Sequence, residues 1–218
     1  MRILPALCLL TFAINSQSQN VSLKFSFLSL VDEASFPTIQ SGIEFKLSKK
    51  IAWYNEVGIK YRKSYYEMAD TNFTNSRGVK LKTEIRYYFI DNGEIYIGSN
   101  GFYTKDFHNT KALYYYSNDS SVLMVDNFGA EKNVRGFNLI IGKQYQKWNR
   151  IYFDLYAGIG IRFISIVQSN MEVDHTRDVL SRGPDLNIPD NRIWMDVKGG
   201  RSVLPNFSMG ARVCYSFK

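Results

Sequence analysis

Apolar and polar residues alternate with a period of two along nearly all of the chain beyond residue 20, and this restricts the fold more than any other feature. In the last segment Phe207, Met209, Ala211, Val213, Tyr215 and Phe217 fall on one face, with Asn206, Ser208, Gly210, Arg212, Cys214 and Ser216 on the other. Ile151–Phe163, Val79–Phe89 and Ile51–Arg62 repeat the pattern clearly. Val21–Val31, Ile39–Leu47, Glu94–Tyr103 and Val134–Tyr145 repeat it more weakly. The count is eight strands, and no segment carries a helical period with caps, which disfavours a soluble α/β enzyme. A mean hydropathy of −0.24 with 22% charged residues excludes a bundle of transmembrane helices. The 15 Tyr and 15 Phe are far more than a disordered chain carries.

The connections alternate short and long. Ser48-Lys49-Lys50, Asp91-Asn92-Gly93 and Gln146–Arg150 are short, and Asp-Asn-Gly is tight-turn chemistry. Those near Asp32–Thr38, Ser64–Gly78, Thr104–Asn133 and Gln168–Val203 are long. In an up-and-down barrel all short turns then share one end and all long loops the other. Within Thr104–Asn133, the runs Ala112–Ser117 and Ser121–Asp126 read as a hairpin, because six residues are too few to cross a bilayer. Structureless connections of such length are uncommon, so the long ones are expected to extend the strands beyond the membrane.

A soluble sandwich or a lipocalin-like barrel would alternate too, so the two faces must decide. The apolar face is broad and aromatic on every strand. The polar face combines charges with Gly42, Gly58, Gly98, Gly136, Gly142, Gly158, Gly160 and Gly210, although strand-interior glycine is unfavourable. Small residues suit the crowded inside of a narrow barrel. Trp53, Tyr87, Phe89, Tyr145, Trp148, Tyr215 and Phe217 gather near the short turns, as an interfacial girdle would. A lipocalin would need an apolar interior for its ligand, and here the inner face is charged. The expected fold is an all-β, eight-stranded antiparallel up-and-down transmembrane β-barrel, for which strands of about ten residues suffice.

Ahead of it, Met1-Arg2, the apolar run Ile3–Ile14 and Ser16-x-Ser18 read as a secretory signal peptide over residues 1–18, with the barrel domain over 19–218. Cys8 lies mid-stretch behind Leu7, a poor place for lipid attachment. Its removal leaves Cys214 alone, so no intramolecular disulfide forms.

The signal peptide, the eightfold alternation and the ending Gly210-Ala211-Arg212-Val213-Cys214-Tyr215-Ser216-Phe217-Lys218 resemble small outer-membrane β-barrel proteins of Gram-negative bacteria, nearest in type to the PorT-like outer membrane protein beta-barrel domain group. Lys218 after the penultimate Phe217 departs from the usual terminal aromatic of the assembly signal. The resemblance implies an outer-membrane location, lipid contact and a barrel-assembly machinery as partner during insertion. It implies no catalytic residues.

The residues themselves offer little chemistry. Glu44, Glu56, Lys60, Arg62, Lys80, Lys82, Glu84, Arg86, Asp154, Arg162 and Arg212 share the inner face, together with Lys46, and are expected to form a paired charge network that plugs the lumen. Acids are outnumbered, so an excess of positive charge is expected inside. The formal charge of +7 is dispersed over strand faces, which argues against a nucleic-acid partner. His108 and His175 fall in loops and are expected to be solvated, without a second ligand at zinc spacing. Ser165 or Ser169 with His175 and Asp174 is the only conceivable hydrolase set. Asp185, Asn187 and Asp190 lack EF-hand spacing. No catalytic residue, metal or cofactor is therefore expected. Tyr114, Tyr115, Tyr116 and Trp194 form a candidate contact surface for an extracellular or envelope protein. A structural or interaction barrel is the first reading, with a small transport pore and a lipid-modifying enzyme as alternatives.

Overall fold

The computed structural model describes residues 21–31, 36–62, 73–89, 94–117, 123–146, 148–174, 176, 178–180 and 199–217. The signal peptide, Asn92, His175, the trio Asp185, Asn187 and Asp190, Trp194 and the side chain of Tyr114 lie outside them.

The strands are β1 (Val21–Ser26), β2 (Thr38–Lys46), β3 (Ile51–Lys60), β4 (Phe73–Tyr88), β5 (Ile95–Tyr116), β6 (Leu123–Gln146), β7 (Ile151–Ser169), β8 (Val179–Leu180) and β9 (Gly200–Phe217). Every pairing is antiparallel. Sequential neighbours pair from β1 to β7, β7 pairs with β9, and β9 pairs back onto β1 with Val21 opposite Phe217. Eight strands thus close into a ring and leave no free edge around its girth. The expected up-and-down order is present, with the short β2–β3 and β6–β7 connections at the same end as Val21 and Phe217. Ser48 tightens the first of these, its hydroxyl accepting from Ile51 N at 3.0 Å.

Several boundaries differ from the sequence reading. β1 stops at Ser26, where a 3-10 turn (Phe27–Val31) begins. Ser29 donates to Ser26 O at 2.5 Å and Thr38 O at 2.9 Å, which ties this turn to the start of β2. β4 starts at Phe73 rather than Val79, across a bulge at Thr74–Arg77 where Asn75 adopts φ 52°, a conformation asparagine tolerates. The third long connection, by contrast, extends the strands as expected: β5 and β6 run on as one hairpin of 22 and 24 residues, with Leu113–Tyr116 paired to Leu123–Asp126. β8 adds a ninth short piece, pairing Leu180 and Val179 with Tyr115 and Tyr116.

Burial sorts the two faces. Outward residues are apolar and exposed, up to 80% for Phe207 and 83% for Met209. Inward charged residues are sealed, with Lys24, Glu44, Glu84, Arg86, Asp154 and Arg212 all at 0%. The molecule is inside out relative to a water-soluble protein.

Candidate functional site

The interior is built by whatever faces inward on alternate positions, and its centre is a closed ionic network. Arg86 on β4 reaches across the ring, with Nη1 donating at 2.8 Å to both Glu44 on β2 and Asp154 on β7. Its Nε donates to Glu84 at 2.9 Å. Arg212 on β9 donates to Glu84 at 2.6 Å, Glu56 at 3.1 Å and Asp154 at 3.4 Å. Lys24 on β1 lies 2.8 Å from Glu44 and 3.0 Å from Asp154, and Lys82 lies 3.1 Å from Glu56. Four carboxylates meet four cations, so this centre is neutral.

Aromatic rings complete it. The Arg86 guanidinium lies 4.5 Å from the Tyr96 ring centre and the Arg212 guanidinium 4.1 Å from that of Tyr156, with Tyr54 beside both. Tyr96 donates to Asp154 at 2.8 Å, Ser26 to Glu56 at 2.9 Å, and Tyr54 to Glu56. These rings need glycine opposite. A methyl group on Gly142 would overlap the Tyr96 ring, and one on Gly210 the Tyr156 ring. Interior glycines thus make room for tyrosines lying flat across the neighbouring strand.

Of the expected network, Glu44, Glu56, Lys82, Glu84, Arg86, Asp154 and Arg212 come together in this centre. Lys60 and Lys80 belong to a second group nearer the loop end: Lys60 bonds Asp106 at 3.0 Å and Ser76, while Lys80 donates to Phe36 O at 2.9 Å. Both ammonium groups also approach the Phe36 ring, at 4.8 and 4.7 Å. Lys46 sits 5.9 Å from the Tyr88 ring. Arg162 is half-buried on β7, eight residues beyond Asp154 and opposite Gly136 and Leu204. Arg62 is a correction: it lies past the end of β3, exposed, 5.8 Å from the Tyr61 ring. The expected surplus of positive charge does not extend to the centre. Lys24, the missed fourth cation, supplies part of its balance, although Ser22, Lys24 and Ser26 alternate with the apolar residues of β1 and carried the signal.

Two further readings are corrected. His108 is not a solvated loop residue, because β5 continues through it and turns it inward at 4% exposure. Tyr115 is not a surface contact. It packs with Phe128, Ala130, Val173 and Met171 inside the hairpin tip, while Tyr116 is 40% exposed. Asp126 holds the segment after β7 against this tip, accepting from Glu172 N at 2.8 Å and Val173 N at 3.1 Å. Asp174 accepts from Thr176 N and Oγ1 at 3.0 and 2.6 Å.

No family model matches the chain, and no curated protein matches it. Among solved structures it is similar to a major outer membrane protein from Thermus thermophilus, at 12% identity and a TM-score of 0.46, over 92% of this chain and 100% of that one. The case for a membrane setting rests on the chain's own two surfaces.

Proposed function

We propose that this chain is an exported, integral outer-membrane β-barrel protein whose lumen is plugged by its own side chains, with a structural or interaction role exercised at its loop end. The carrying observation is the inversion of polarity: a closed ring with an apolar, aromatic-rimmed outside and a sealed ionic inside. Such an exterior in water would be a very large apolar patch, whereas in lipid it is the required surface, and closure leaves no unpaired backbone edge. The PorT-like group is the family we propose on pattern alone. The loop end supports an interaction role, since the β5–β6 hairpin projects beyond the ring and exposes Tyr116, Leu123, Met124 and Val125. An envelope or extracellular protein is the partner class, and the assembly machinery a transient one. We propose no catalytic role for the chain.

The test is fractionation of the full chain expressed in a Gram-negative host. It should sediment with the outer membrane, resist alkaline extraction, and migrate faster on a denaturing gel before heating than after. Recovery as a soluble periplasmic protein would overturn the proposal.

A further inference from the structure

The outer face of β4, β5 and β6 carries a feature that a uniform lipid-facing wall does not need. Starting from the turn-end residues Tyr87, Ile95 and Tyr145, the tenth position along each strand is basic: Arg77, Lys105 and Arg135. Ten residues at about 3.3 Å each, tilted by about 40°, rise about 25 Å, the height of the apolar band of an outer-membrane barrel. The three bases therefore form an arc at the far boundary of the hydrocarbon, opposite the aromatic girdle.

Their surroundings differ. Lys105 is paired with Glu131 at 2.8 Å, and the Arg77 guanidinium lies 4.9 Å from the Phe107 ring. Arg135 is exposed and stands between Tyr103 and Phe163 on the neighbouring strands, with Phe137 next on its own face. Among the described residues no carboxylate pairs with it. Below it a groove of about 760 Å³ runs along the wall between Val57, Leu81, Tyr103 and Phe137. Its floor is Gly101, where an added methyl would meet only Thr83, at 3.9 Å. An apolar trough ending in an uncompensated guanidinium matches an acyl chain topped by an anionic headgroup.

We propose that this face is a docking site for a phosphate-bearing anionic membrane lipid, its headgroup on Arg135 and Arg77 and one acyl chain in the groove over Gly101. The site rests on the membrane reading above. The bases and the groove are complementary to the two halves of one amphiphile, and the long arginine side chains keep their charge at headgroup level.

The test reconstitutes the full chain in phosphatidylcholine vesicles with a trace of spin-labelled phosphatidylglycerol or spin-labelled phosphatidylcholine, and reads the motionally restricted fraction by electron spin resonance. Phosphatidylglycerol should be favoured about fivefold for each of the two docking bases, Arg135 and Arg77. Arg135→Gln and Arg77→Gln should each lower that preference, the pair bringing it close to one. Glu131→Gln, which frees Lys105, should raise it. Lys49→Gln, removing an exposed base at the turn end, should leave it unchanged, as should millimolar inorganic phosphate. Equal restriction of both lipids would overturn the site and leave the membrane reading intact. So would a preference that survives the double arginine variant, falls equally in Lys49→Gln, or is competed away by phosphate. No restricted fraction for either lipid would overturn the membrane reading itself.

Discussion

At the scale of single residues, the central network is stable only as a complete set. Each charge has lost its water, and each arginine serves several carboxylates. Removing one partner leaves charge stranded in a low dielectric, whereas removing a matched pair does not. Arg212→Met should therefore lower stability by about 3–5 kcal/mol, because Glu56, Glu84 and Asp154 all lose a donor. The double variant Arg212→Met/Glu84→Gln should recover part of it. Urea unfolding in lipid vesicles, followed by tryptophan fluorescence, measures both; a double variant no better than the single would show that charge balance is not what matters. Beyond the apolar band, hydrogen bonds from Lys105 and then from Asn133 hold the Glu131 carboxyl below the ordinary glutamate range. A lowered carboxyl favours the folded arrangement above the usual glutamate pKa and loses that contribution as pH falls through its own. A carbon-13 titration of Glu131 should show this depression, and Lys105→Met should bring the value back up. An ordinary Glu131 titration in the unsubstituted chain would refute the pairing.

At the scale of elements, the loop end is where sequence and structure part. Alternation located all eight ring strands because each has one face against lipid and one against packed polar groups, two environments a period of two separates cleanly. It is harder to read between 104 and 133, where Asp106 and His108 still continue the inward face and a register shift between Thr110 and Leu113 then exchanges the two faces. Tyr115 and Tyr116 look equivalent in sequence. Their opposite fates follow from the register shift between Thr110 and Leu113, which exchanges the two faces of β5 so that Tyr115 turns inward and Tyr116 outward. Lys24 was legible from its position in β1, but its role was not, since a pairing across the ring depends on which strands face each other. Among the described residues the segment after β7 is held to the tip by the Asp126 carboxylate on two backbone amides, the packing of Val173 with Tyr115 and Phe128, and the pairing of Val179 and Leu180 with Tyr116 and Tyr115. Asp126→Ala should free the segment after β7 while the ring stays closed. Limited proteolysis of the intact protein in vesicles should then cut within 171–180 faster than in the unsubstituted chain, with unchanged heat-dependent gel migration. Equal cleavage rates would mean that Asp126 does not anchor the segment.

At the scale of the whole molecule, an eight-stranded ring is just wide enough for side chains to fill, so conduction depends on how they fill it. Here contacts run across the ring as well as along its wall. Arg86 joins β4 to β7, Arg212 joins β9 to β3 and β4, and Ser26 joins β1 to Glu56 on β3. Tyr54, Tyr96 and Tyr156 fill the space between the guanidinium groups. An ion passing this layer would have to separate pairs that have no bulk water to replace their partners. The refolded protein in a planar bilayer should accordingly show no stable, stepwise conductance. Glu84→Ala/Arg212→Ala removes one acid, one base and the bulk of both while keeping the centre neutral. It should fold, as judged by heat-dependent migration, and should open small discrete steps. Porin-sized steps from the unsubstituted protein would overturn the plug and turn the protein into a pore. Silence from a correctly folded double variant would place the barrier instead in the outer group around Phe36, where Lys60 and Lys80 close over one ring.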